Sequence, residues 1–274
     1  MKRTALMIAI ACLALGTAAC RTTVDAAPPS PAASGSRLDT TPRHDEWIDV
    51  ARAGRTVRTY VVYPQVSDKA QVVILIHENR GLTDWVRTVA DRLAEEGYIA
   101  IAPDFLTGMA PAGGGTPDFA SEDAARQAIG KLPPEQVRAD LRSVVEEARR
   151  IPAANGEVSI AGFCWGGARA WEAANEIDGL RRVFVFYGTG PDEPSEVAGI
   201  DAPVYGFYGG DDARVNATIP KSEELMRAAG KRFEPVIYDG AGHAFMRLGE
   251  APDASDANRQ ARDAAWQRWL TLLR

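Results

Sequence analysis

Ser159-Ile160-Ala161-Gly162-Phe163-Cys164-Trp165-Gly166-Gly167 is an apolar run that ends in a Gly-x-Cys-x-Gly-Gly corner. Glu157 to Phe163 reads as a strand, and a helix is expected directly after the corner. A side chain at so tight a strand-to-helix turn sits in strained backbone, so the positions two residues away have to be glycine to avoid collision. The helix start aims backbone N–H groups and the positive end of its dipole at the turn, which favours a thiolate and later an oxyanion. Cys164 is therefore read as a nucleophile. The alternative is a structural cysteine in a glycine-rich turn.

Outward from this corner, short β-branched runs alternate with helical stretches from about Asp45 onward. Strand signals lie at Thr56 to Tyr63, Val72 to Ile76, Tyr98 to Ala102, Val183 to Tyr187, Val204 to Tyr208 and Phe233 to Tyr238. Helical patterns fill Trp85 to Glu96, Glu135 to Arg150, Lys221 to Ala229 and about Ser255 to Leu273. Such regular alternation predicts an α/β fold, a mostly parallel central sheet with helices on both faces. No internal repeat or second domain boundary is visible. Gly113-Gly114-Gly115 lacks the Lys-Ser/Thr of a phosphate loop and reads as a flexible loop near the mouth of a site.

The chain has 274 residues, 46% of them hydrophobic and 25% charged, with a net charge of −6. That length suffices for one well-buried core, and the acidic balance argues against a nucleic-acid partner. Lys2-Arg3, the apolar run Ala5 to Leu15 and the small residues after it read as a secretory signal, too short to span a membrane. Its end, Leu15-Gly16-Thr17-Ala18-Ala19-Cys20, resembles the bacterial lipoprotein box, with Thr17 where a Leu is usual. The expectation is a signal over 1–19, lipidation of Cys20 and a membrane-anchored lipoprotein facing the periplasm. A plain secretory signal and a soluble periplasmic protein are the alternative. Losing Lys2 and Arg3 makes the mature chain −8, so only acyl chains would hold it at a membrane. Residues 20–44, with Pro28, Pro29, Pro31 and Pro42, read as a flexible tether, and 45–274 as the domain. Cys12 lies in the signal and Cys20 at its end, which leaves Cys164 as the single cysteine of the folded part, without an internal disulfide partner.

A nucleophile needs a base, and the chain offers His44, His77 and His243. His243 lies in Asp239-Gly240-Ala241-Gly242-His243-Ala244-Phe245, just after the last strand signal. Sites in open α/β sheets form at the carboxyl ends of strands, so this loop can meet Cys164 in space. Tyr208-Gly209-Gly210-Asp211-Asp212 ends another strand, and either carboxylate could orient the imidazole. Three widely separated histidines form no zinc signature, and no cofactor or metal is called for.

From about Trp47 to the C-terminus the sequence resembles the dienelactone hydrolase family of α/β-hydrolases. The resemblance is carried by Gly162-Phe163-Cys164-Trp165-Gly166-Gly167, Gly209-Gly210-Asp211-Asp212, Gly242-His243-Ala244-Phe245 and His77-Glu78. It implies that Asp212 rather than Asp211 is the acid, and that Glu78 lies beside the cysteine and takes part in activating it. It implies oxyanion-hole N–H groups at Asn79 and Trp165. Arg247, four residues after the histidine, would bind a substrate carboxylate, with a second arginine before the nucleophile helix placed at Arg126. Glu78-Asn79-Arg80-Gly81-Leu82 departs from the family's apolar residue and Phe-Gly. Arg80 would bind an acidic substrate or pair with a surface carboxylate.

The expected activity is hydrolysis of a small-molecule ester or lactone through a Cys164-His243-Asp212 triad and a thioester, by a monomer. A catalytically silent domain serving as a periplasmic binding or interaction module is the rival. A thiol-redox protein would need a resolving cysteine, and the domain has none.

Overall fold

The computed structural model describes residues 37–52 and 54–274. The signal segment, Cys20 and most of the tether lie outside the described residues.

The strands are β1 (Asp45–Arg52), β2 (Arg55–Val62), β3 (Ala70–Ile76), β4 (Ile99–Pro103), β5 (Ala154–Phe163), β6 (Val183–Phe186), β7 (Val204–Gly209) and β8 (Phe233–Tyr238). The helices are α1 (Arg37–Thr40), α2 (Asp84–Glu95), α3 (Glu122–Ile129), α4 (Pro134–Arg150), α5 (Trp165–Glu176), α6 (Ala213–Asn216), α7 (Ile219–Ala228), α8 (Phe245–Leu248) and α9 (Asp256–Leu273). All eight strands form one sheet in the order β1-β2-β4-β3-β5-β6-β7-β8. The pairs β1/β2 and β2/β4 are antiparallel, and every pair from β4 to β8 is parallel.

A sheet covered on both faces needs strands apolar at every position, and β3, with Ala70 to Ile76 all buried, meets that demand. Val72, Ile74 and Ile76 point into one core layer, which takes Val137, Leu141 and Val144 of α4 and Ala170 and Trp171 of α5. Val73 and Leu75 point into the other, which takes Val86, Val89 and Leu93 of α2 and Ala265 and Trp269 of α9. Period-2 alternation therefore divides the strand between two helix layers, as the α/β reading requires.

Two segments differ from the sequence reading. Among the described residues the folded unit starts at Arg37, inside the segment 20–44 read as tether. The cause is Asp91 on α2, whose fully buried carboxylate accepts bonds from Arg37, from Thr41 and from Arg43 at 2.8 Å. Burial alone would raise the carboxyl's pKa; these partners outweigh it and hold the group below the ordinary carboxylate range. The loop at Gly113-Gly115 is also held rather than free. Asp104 accepts from both the N–H and the hydroxyl of Thr116 at 2.7 Å, and that hydroxyl accepts from the N–H of Leu82.

Candidate active site

Parallel register brings the carboxyl ends of five strands to one edge of the sheet. Ile76 pairs with Gly162, Phe163 with Phe186, Phe186 with Phe207, and Gly209 with Tyr238. The residues just past these ends, His77 and Glu78, Cys164, Tyr187, Asp212 and His243, therefore converge.

Cys164 takes φ +56° and ψ −115°, a conformation that L-residues rarely adopt, directly before α5. Its neighbours explain how the corner closes. A Cβ on Gly162 would stand 2.0 Å from the carbonyl oxygen of Gly166, and one on Gly166 2.3 Å from that of Ile76. The strained turn presents Sγ to His243 Nε2 at 3.1 Å. His243 Nδ1 meets Asp212 Oδ2 at 2.5 Å. Asp212 is buried and Asp211 exposed, so the structure brings the carboxylate implied by the resemblance to the imidazole. The other oxygen of Asp212 accepts from the N–H of Val215 at 3.4 Å, capping the one-turn helix α6 and fixing the carboxylate. Burial pulls the His243 pKa down, but the bonds to Cys164 and Asp212 and their charges outweigh it and push it up to about 9.

Glu78 is buried and has partners of its own. Arg247 Nε donates to its Oε2 at 2.7 Å, and the Tyr187 hydroxyl to its Oε1 at 3.4 Å. Among the described contacts no hydrogen bond joins Glu78 to Cys164. Arg247 reaches this position because Ala244, at φ +61°, turns the chain into α8 one residue after the histidine. The arginine read as a substrate clamp is thus already paired with an internal carboxylate. Tyr187, itself at φ +41°, packs edge-on to the His243 ring, 5.1 Å between centroids. Its only sequence signal was a tyrosine at a strand end, which is too common to single out.

His77, one residue before Glu78, is fully buried. Its Nδ1 contacts the carbonyl oxygen of Glu78 at 2.8 Å, and the N–H of Phe105 donates to its Nε2 at 3.3 Å. Nε2 must then be the acceptor, so the proton sits on Nδ1. Burial lowers the His77 pKa and keeps the ring neutral, which agrees with that tautomer.

An open cavity of about 390 Å³ lies over Cys164, lined by Asn79, Trp165, Tyr187, Thr189 and three arginines, Arg126, Arg169 and Arg214, among others. Of the arginines named from sequence, only Arg126 lines it. Arg80 turns away, pairs with the exposed Glu122 and borders a neighbouring hollow with Thr116 and Pro117. Arg169 and Arg214 carried no motif that sequence reading could use.

The family model described as "Dienelactone hydrolase family" matches residues 57–274. The chain belongs to this family. It is 34% identical over 229 residues to a protein of Salmonella typhimurium named "Putative carboxymethylenebutenolidase", covering 79% of this chain and 82% of the relative. A protein of Escherichia coli with the same name is 32% identical over 236 residues, covering 82% and 84%. The crystal structure titled "Putative Dienelactone Hydrolase" from Klebsiella pneumoniae superposes with a TM-score of 0.72 at 27% identity, over 84% of this chain and 98% of that one. The α/β-hydrolase fold, expected from the alternation of strands and helices together with the family resemblance, is therefore the fold of this dienelactone hydrolase family member.

Proposed function

We propose that this family member, a hydrolase of carboxylic ester or lactone bonds, works through a thioester on Cys164. The observation that carries this reading is His243 set between Cys164 Sγ at 3.1 Å and Asp212 at 2.5 Å. The bonds to Cys164 and Asp212 favour the protonated imidazole and push its pKa up to about 9, so His243 holds the proton it shares with Sγ. Sγ attacks the carbonyl carbon while Nε2 holds that proton, and the C–S bond forms. The negative charge on the former carbonyl oxygen is met by the N–H groups of Asn79 and Trp165. Trp165 is the first residue of α5, where a backbone N–H has no intrahelical acceptor. The C–O bond to the leaving alkoxide then breaks, and His243 returns the proton to it. Water attacks the thioester with His243 again as base, the C–S bond breaks, and the thiol regains its proton. Asp212 holds the Nδ1 proton throughout and stabilises the imidazolium.

Glu78 acts on this site through Arg247 and Tyr187. A substrate carboxylate reaching Arg247 has to compete with Glu78 for it, so Arg247 serves first to keep that buried carboxylate compensated. The name of the relatives points to a lactone as the substrate type. A silent binding module would have no use for a strained cysteine aligned with a histidine and a buried acid.

The test is Cys164→Ala, which should abolish turnover of lactones and short-chain esters while circular dichroism stays that of the wild type. Intact-mass measurement of wild type quenched during turnover should find one acyl group, located on Cys164. An alanine variant retaining most of the activity refutes the mechanism.

We further propose that the chain is exported and anchored by acyl groups on Cys20, with the segment up to about residue 36 acting as a spacer. The support is the sequence alone: a basic start, an apolar run, Ala18-Ala19-Cys20, and a proline- and alanine-rich stretch after it.

A further inference from the structure

The N–H of Asn79 can serve an oxyanion only if the turn that carries it is held in place. That turn is Glu78-Asn79-Arg80-Gly81, closed by a bond from the Gly81 N–H to the Glu78 carbonyl at 3.2 Å, and it borders the cavity over Cys164 through Asn79. At its tip Arg80 pairs with Glu122 at 2.5 Å, but Glu122 is exposed to water and such a pair fixes little. The firmer restraints come from the segment that follows β4. At the entry of the turn, the N–H of Phe105 sets the tautomer in which His77 grips the Glu78 carbonyl.

At the exit the restraint is Thr116. Its hydroxyl donates to Asp104 Oδ1 at 2.7 Å and accepts from the Leu82 N–H at 2.9 Å, while its own N–H donates to Asp104 Oδ2 at 2.7 Å. A carboxylate only accepts, so the hydroxyl proton has to point at the buried Asp104, which leaves a lone pair facing Leu82. Donation to the carboxylate strengthens the same oxygen as an acceptor. Leu82 is buried as well, so losing that acceptor would strand its N–H away from water. The fit is close. Gly81 takes φ +80°, and a Cβ there would stand 2.2 Å from the Thr116 hydroxyl oxygen.

We propose that Thr116 is a positioning residue for the oxyanion hole. Anchored by Asp104, it fixes the exit of the turn as His77 fixes the entry, so that the Asn79 N–H stays aimed at the charge that develops on the substrate oxygen. The inference rests on the thioester-hydrolase reading of the same site, in which that N–H is a donor. Formation and hydrolysis of the thioester both pass through an oxyanion. A badly aimed donor therefore lowers kcat and kcat/KM together and leaves KM alone.

The probes are 4-nitrophenyl butyrate and the lactone dihydrocoumarin. Thr116→Val keeps the shape of the side chain and removes the hydroxyl's bonds. Its kcat should fall about tenfold with KM within about twofold of wild type, a fraction of what losing a whole oxyanion donor costs. Thr116→Ser keeps the hydroxyl and should recover most of kcat. Alkylation of Cys164 by iodoacetamide needs Sγ and His243 but no oxyanion donor, so its rate should be the same in all three proteins. Thr116→Ala against Thr116→Ser gives the same comparison if the valine variant does not fold. The Thr116 proposal is overturned, and the hydrolase reading stands, if kcat of Thr116→Val stays at the wild-type level, if serine is no better than valine, or if alkylation slows in step with kcat. If wild type hydrolyses neither probe and no acyl group is found on Cys164, the hydrolase reading itself fails, and the proposal with it.

Discussion

His77 Nδ1 donates its proton to the carbonyl oxygen of Glu78 at 2.8 Å. That carbonyl and the N–H of Asn79 belong to one planar trans peptide unit and point in opposite directions, so gripping one end aims the other. The same imidazole stacks on the Trp165 ring, 5.5 Å between centroids and 15° between planes. A single buried ring therefore touches both residues proposed to supply the oxyanion hole, with its tautomer set by the N–H of Phe105.

His77→Phe keeps a ring of similar size against Trp165 and removes both hydrogen bonds. With the donor peptide less well aimed, kcat should fall roughly ten- to a hundredfold with little change in KM, a fraction of what losing a whole oxyanion donor costs. Denaturant titration should show a stability loss of about 1–3 kcal/mol from the two groups left unsatisfied. A stability loss with kcat unchanged would make His77 a structural residue only.

The positive φ of Cys164 gives a stability signature independent of activity. Glycine adopts such a conformation without penalty, whereas alanine does not. Among inactive variants, Cys164→Gly should therefore be more stable than Cys164→Ala by about 1 kcal/mol, the reverse of their order in a helix. Urea unfolding of the two proteins measures the difference.

The raised pKa of His243 links folding to pH. Its ordinary value is 6.5 and its folded value about 9, so the folded state binds the proton more tightly. The resulting stabilisation is fully present below about pH 6.5 and is lost as pH rises through about 9. The melting temperature of wild type minus that of His243→Gln should be largest near pH 6 and should vanish above pH 9. A difference that grows with pH would mean that the imidazole is held neutral.

Cys20 is open to a direct test of anchoring. Cys20→Ser should move the protein from the membrane fraction to the soluble one, or stall removal of the leader. A wild-type protein that is already soluble and begins at another residue would contradict lipidation at Cys20.

The sequence by itself was sufficient for whatever depends on neighbours along the chain. The cysteine corner was legible because its collisions involve Gly162 and Gly166, two residues away on either side. The parallel sheet was legible because strands buried on both faces, such as Val72 to Ile76, cannot be other than apolar throughout. The chain order nucleophile, acid, histidine was readable because each lies just after a strand, β5, β7 and β8, while the choice of Asp212 over Asp211 came from the family resemblance. Helix α3, with three buried residues among eight, had too short an apolar face to register. Tertiary structure alone decided the charges. Arg247 lies 169 positions from Glu78 and Arg37 lies 54 from Asp91, and no periodicity links such pairs. The partner of a long flexible cation is set by which carboxylate comes within reach and how far water is excluded there. Those are properties of packed elements. That is why sequence reading named Arg80, Arg126 and Arg247, while the folded chain leaves Arg214 unpaired at the cavity over the thiol.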